Sequence, residues 1–401
     1  MKKIVGIIAA AALAASAFAE INIGSWNRAV FVPFAYDGEN VNALENTSWG
    51  GSNATNAGVR TGLAFSASTE NAGFVMDVHN NPWNTLELGD NGYAWVKPAE
   101  ILTVKFGKID NNWGRQDVCF GMWDRYRFGG NLNLGEGVAA WRSHNNTGAE
   151  VTLTPVENLV IDYQAGFGTG NERAYKTLYH NADLMVGYTI PDTAFIRAIV
   201  APQAPAANYD GDDKEWMTIG LAADITAIEN LWLSVGTTIP TLFDKKAGSD
   251  GIGVNIPVGI GAAYNLDALT LHGLARFNFI GTTNDDLDGN EFGKLFGLYF
   301  GVGADYALND MFTLVADVRF FTYAGDKDYV DYVQDAGDFG AYVGLSQKLS
   351  NATFDFGVML SKAGTFNTDT NFSGEYTATG ASDNGDGDLT FAIPLTMTVS
   401  F

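Results

Sequence analysis

Apolar side chains alternate with small or polar ones over most of this chain. The clearest run is the last: Leu389, Phe391, Ile393, Leu395, Met397, Val399 and Phe401 are separated by Thr390, Ala392, Pro394, Thr396, Thr398 and Ser400. A period of two puts the first set on one face of a strand and the second on the other. The same alternation sets Leu102, Val104 and Phe106 against Thr103, Lys105 and Gly107, and Leu159, Ile161 and Tyr163 against Val160, Asp162 and Gln164. It recurs with Phe354, Phe356, Val358 and Leu360 against Asp355, Gly357, Met359 and Ser361. Exposed to water, an edge strand with seven apolar side chains on one face would aggregate, whereas a strand facing lipid needs such a face.

Short turn signals separate these strands, near Thr69, Lys97-Pro98, Pro155 to Asn158, Pro191-Asp192, Thr226 to Asn230, Asn265 to Asp267, Ala307 to Asp310 and Leu349 to Asn351. Pro, Asn and Asp supply the preset φ and the local side-chain bonds that tight turns use. The opposite ends open into longer segments rich in Gly, Asn and Asp: 37–56, 80–90, 110–136, 168–182, 202–215, 240–254, 282–292, 324–337 and 363–387. Short turns at one end and long loops at the other predict an all-β fold, a transmembrane antiparallel up-and-down β-barrel with periplasmic turns and outer loops. Eight turns with both termini on their side make eighteen strands; merging the short second hairpin would leave sixteen.

Residues 1–19 read as a cleavable secretion signal rather than structure. Lys2 and Lys3 precede an apolar run from Ile4 to Ala15, and Ala17-Phe18-Ala19 is a small-x-small cleavage site. Residues 20–401 then form a single barrel domain. After the signal no apolar run approaches the length of a spanning helix. The formal net charge of −23 argues against a nucleic-acid partner, since phosphate binding needs a basic face. Cys119 is the single cysteine, so no disulfide framework exists.

The chain resembles the bacterial outer-membrane porins. What carries the resemblance is the signal, the amphipathic strands, the asymmetry of turns and loops, the hairpin from Tyr93 to Pro98 continuing through Val104 to Lys108, and the last strand ending in Phe401. The acidic Pro-Glu-Phe-Gly-Gly motif of the enterobacterial porins' third loop is absent. The resemblance implies a passive, trimer-forming pore for small hydrophilic solutes in the outer membrane of a Gram-negative cell. It also implies contact with lipopolysaccharide and a terminal signal, Met397, Val399 and Phe401, read by the barrel-assembly machinery. No cofactor or metal is expected.

A barrel this wide encloses water rather than side chains alone. The face opposite the apolar stripe would place Arg60, Lys105, Arg197, Arg276, Arg319 and Lys348 in the lumen, with Asp77, Asp162, Asp224, Asp305, Asp317 and Asp355. Charges of both signs on opposite walls would create a transverse field that orients polar solutes; alternatively they pair with one another. Segment 110–136 is unusually aromatic for a free loop and is the expected constriction, folding inward to present Arg115, Asp117, Asp124, Arg125 and Arg127. An outer lid or a subunit contact is the alternative. Acidic clusters such as Asp210, Asp212, Asp213 and Glu215 would give the mouth a mild cation preference.

Three further readings compete with a general pore. Trp113, Trp123 and Tyr126 would allow a sugar-specific channel, and the long loops an adhesin or structural surface barrel. A soluble secreted all-β protein is the third. Asp383 to Asp388 has the spacing of a calcium loop without its later bidentate Glu. Catalysis is not expected: His79, His144, His180 and His272 show no metal-ligand spacing, and Arg142-Ser143-His144-Asn145-Asn146 lacks the order of the barrel phospholipases.

Overall fold

The computed structural model describes residues 21–36, 41–45, 59–80, 86–110, 113, 145–166, 182–203, 216–240, 252–282, 291–332, 337–362 and 389–401. The chain enters with β1 (Ile21–Tyr36) and a short return strand, β2 (Val41–Glu45). Three hairpins follow: β3 (Val59–Ser68) with β4 (Ala72–Asn80), β5 (Leu86–Ala99) with β6 (Leu102–Asp110), and β7 (Asn145–Leu153) with β8 (Leu159–Gly166). Next come β9 (Ala182–Ile190) with β10 (Ala194–Gln203), β11 (Trp216–Ile228) with β12 (Leu231–Pro240), and β13 (Ile252–Leu266) with β14 (Leu269–Thr282). The last elements are β15 (Glu291–Ala307), β16 (Phe312–Gly325), a short helix α1 (Lys327–Tyr332), β17 (Asp338–Lys348), β18 (Ala352–Ser361) and β19 (Thr390–Ser400).

Every neighbouring pair is antiparallel, and β1 closes the ring by pairing with both β3 and β19. Because β2 pairs only with the far half of β1, in the ring position that β3 fills lower down, the circumference holds eighteen strands. The sixteen-strand alternative is therefore excluded, since β3 and β4 form a hairpin of their own. All eight predicted turns join strands near the positions the sequence marks, although Lys97-Pro98 belongs to the end of β5 and the reversal there falls at Glu100-Ile101. Asn158, Asp192, Asn230 and Asp267 carry φ of 66°, 56°, 62° and 50°. These are left-handed conformations that Asn and Asp tolerate better than most residues. Boundaries differ at the loops: β2 lies within 37–56, β5 starts at Leu86 inside 80–90, and α1 lies within 324–337.

The terminal strand behaves as its alternation predicts. Phe401 is 77% exposed at the seam, and its N–H donates to the Ser25 carbonyl at 2.8 Å while its carbonyl accepts from the Ser25 N–H at 2.9 Å. Around the wall, exposed apolar side chains alternate with buried ones: Leu314, Val318 and Phe320 face out from β16, while Val315, Asp317, Arg319 and Phe321 are enclosed. Leu184, Val186 and Tyr188 do the same on β9. The outer surface is thus a continuous apolar belt, and the packed core lies on the inner wall. Among the described residues no helix is long and apolar enough to cross a membrane, which says nothing of a β-barrel.

Candidate functional site

The inner face of the barrel is where charge and polarity collect. Alternation places Asp77, Lys105, Asp162, Arg197, Asp224, Arg276, Asp305, Asp317, Arg319 and Asp355 there, opposite exposed apolar neighbours such as Phe106, Ile196 and Phe356. Lys348 is exposed at the turn end of β17. Arg60 pairs by its backbone with Arg28, and its side chain lies outside the described residues. The expected constriction residues Arg115, Asp117, Asp124, Arg125 and Arg127 also lie outside them.

The charges that meet do so along the wall. Lys105 stands directly across from Glu150 in the β6–β7 register, and its Nζ donates to Glu150 Oε1 at 2.5 Å. Arg197 Nη1 donates to Asp224 Oδ2 at 2.6 Å, and Asp224 Oδ1 accepts from Ser234 Oγ at 2.5 Å on the next strand. Arg319 Nη2 donates to Asp317 Oδ2 at 2.9 Å within β16, with both side chains essentially inaccessible. Arg276 lies over the Tyr299 ring, 4.3 Å from its centroid. Neutralised by neighbours on the same or adjacent strands, these pairs contribute little transverse field. Local pairing thus wins over the opposed-wall arrangement for these residues, because adjacent strands bring partners within hydrogen-bond distance at no cost in reach.

Glu150 escaped the sequence reading, although Ala149, Val151 and Leu153 alternate with it and would have placed it inward. Gln164 was also passed over as a site residue: it is buried and donates from Nε2 to the Ile109 carbonyl at 2.9 Å.

Packing is uneven around the lumen. On β14 to β18 the inner side chains Ile280, Leu295, Tyr299, Phe321, Tyr342 and Met359 are buried, with Tyr299 and Phe321 rings 4.4 Å apart. On β8 to β10, Met185, Ile199 and Ala201 form a second inner cluster that receives Val160 and Trp113. Trp113 is the one described residue of the segment between Asp110 and Asn145, and it packs inside the barrel. Facing these walls, the inner side chains of β1 and β4 to β6 are less enclosed: Trp26, Asp77, Tyr93, Trp95 and Lys105 remain partly accessible, and Lys105 lies 5.5 Å from the Tyr93 centroid. Among the described residues, no group of three or more His, Cys, Asp or Glu side chains comes together in a way that could hold a metal ion.

An eighteen-strand wall, apolar outside and charged inside, with a loop residue turned inward, leads to a comparison with solved barrels. An anion-selective porin from Comamonas acidovorans matches at 12% identity with a TM-score of 0.52, over 96% of this chain and 100% of that one. The fold is that of the bacterial porins. Salmonella typhi OmpF, solved in complex with daunomycin, matches at 11% identity and a TM-score of 0.51, covering 95% of this chain and 97% of its own. OmpT, an outer membrane protein of Vibrio cholerae, matches at 12% and 0.50, over 96% and 98%. The sequence matches no protein-family profile and no curated protein. Identities this low reflect how loosely a porin-like wall constrains sequence: alternation and turns are required, particular residues are not.

Proposed function

We propose that this chain is an outer-membrane porin, a passive, water-filled channel for small hydrophilic solutes and ions with a mild cation preference, and not an enzyme. The observation that carries the reading is the inversion of the wall: exposed apolar side chains encircle the outside while ionisable and polar groups line the inside. That arrangement is stable only with hydrocarbon outside and a polar interior. The barrel is delivered through the cleavable leader at residues 1–19, inserted by the barrel-assembly machinery reading Met397, Val399 and Phe401, and assembled as a trimer bordered by lipopolysaccharide. The cation preference follows from 46 acidic against 23 basic side chains. Segment 110–136 narrows the lumen from the side on which Trp113 is seated.

Reconstitution in planar bilayers tests this directly. Discrete single-channel currents that rise with salt and favour cations are expected; purified, folded barrel that gives no current overturns the proposal. The partly accessible inner rings Trp26, Tyr93 and Trp95 favour one second reading, a channel selective for ring-stacking solutes such as sugars. Current block by micromolar concentrations of one sugar, but not by others of equal size, would decide for it.

A further inference from the structure

The acidic loop after β16 is not wholly external. Gly325 closes β16 with φ of 136°, where any Cβ would collide with the Lys294 carbonyl, so the chain turns here as other residues could not. Asp326 then fixes the turn. Its N–H donates to the Lys294 carbonyl at 2.8 Å, its Oδ1 accepts from the Asp328 N–H at 3.2 Å, and its carbonyl accepts from the Val330 N–H at 3.0 Å. Lys294 Nζ lies 3.5 Å from its carboxylate. From this anchor α1 runs along the inner wall, and Tyr329, 5% exposed, packs on Ile280 and Leu295 with Val330 and Tyr323 beside it. Ile280 and Leu295 are register partners on β14 and β15, on the enclosed face opposite Phe279 and Phe296. The chain re-enters the wall at Gly337, whose φ of 90° again suits glycine.

Six residues do not hold a helix by propensity; docking and the Asp326 cap hold this one. At 3.6 residues per turn, Tyr329 and Val330 share one side of α1, and Lys327 and Asp328 fall on the other. Both of those are exposed. We propose that α1 is a second constriction element, separate from segment 110–136, which occupies the lumen beside β14 to β16 and presents Lys327 and Asp328 to passing solutes as specificity-determining residues. This rests on the channel reading. A helix about 10 Å across removes a substantial share of an eighteen-strand lumen on that side.

The test uses the full-length barrel with Cys119→Ser, which removes the single thiol, plus either Lys327→Cys or Leu295→Cys, the latter beneath the docked Tyr329. Folding is checked by heat-dependent mobility in detergent gels. A bulky maleimide should label Lys327→Cys at least about ten-fold faster than Leu295→Cys, because one faces water and the other is covered by Tyr329. In bilayers, labelled Lys327→Cys should conduct less than unlabelled, and Tyr329→Ala, which undocks the helix, should conduct roughly 1.5-fold more than wild type on the area argument. Equal labelling rates, or full labelling at 327 with unchanged current, would overturn the proposal. An unmodified barrel that carries no current would instead sink the channel reading, and the labelling ratio, read without any current, separates the two failures.

Discussion

Glu150→Gln is the sharpest probe of how the inner wall controls ions. Glu150 is 2% exposed and its partner Lys105 28% exposed, so the pair presents the lysine to the lumen and hides the carboxylate behind it. The amide is isosteric and its oxygen still accepts from Lys105 Nζ, so the fold is retained while one negative charge disappears. Lys105 then acts as a positive charge that has lost its hydrogen-bonded counter-charge, with Asp162 the remaining carboxylate close to it. For a monovalent ion passing roughly 8 Å away in water, a unit charge is worth about 0.5 kcal/mol, attracting anions and repelling cations. In dilute salt the two effects combine to about 1 kcal/mol, a fall of about six-fold in the cation-to-anion permeability ratio. At 0.1 M salt, with a Debye length of about 10 Å, screening reduces this to about two-fold. Reversal potentials under a salt gradient across a planar bilayer measure it. The double variant Lys105→Gln with Glu150→Gln should restore the wild-type ratio. A ratio unchanged in Glu150→Gln at both salt concentrations would refute the reasoning, and with it the position of Lys105 on the ion path.

Other expectations address stability and assembly. Asp317→Leu removes the carboxylate to which the 1% exposed Arg319 donates and should cost about 3–5 kcal/mol in urea unfolding from detergent, whereas Asp317→Leu with Arg319→Met should recover most of it. Deleting Phe401 removes the two backbone bonds to Ser25 and the last outward ring, so the yield of heat-modifiable folded barrel should drop; an undiminished yield would show that the terminal residue is dispensable. Asn230→Val forces a β-branched side chain into φ of 62° and should destabilise by about 1–2 kcal/mol, while Asn230→Gly should be close to neutral.

The local code of this chain was legible without the structure, and the reason is that it is written in neighbouring residues. Period two assigns each side chain to a face, and Asn and Asp at the turns announce left-handed backbone; together they define the hairpins and the eighteen-strand count. Phe401 at the seam and the buried, charged inner faces of β10 and β16 follow from the same alternation. Contacts between distant segments were not legible. Lys105 faces Glu150 only because β6 and β7 take one register across the long segment 111–144, and a slip of one residue would turn Glu150 outward. Nor could alternation say that Trp113 packs on Met185, Ile199 and Ala201, or that Tyr329 leaves an acidic loop to dock on Ile280 and Leu295. The sequence alone determined which face each strand gives to lipid and where the chain reverses. Tertiary structure decided which inner charges cancel and which loop residues enter the lumen, because those choices depend on closing the ring and on surfaces that exist only once it is closed.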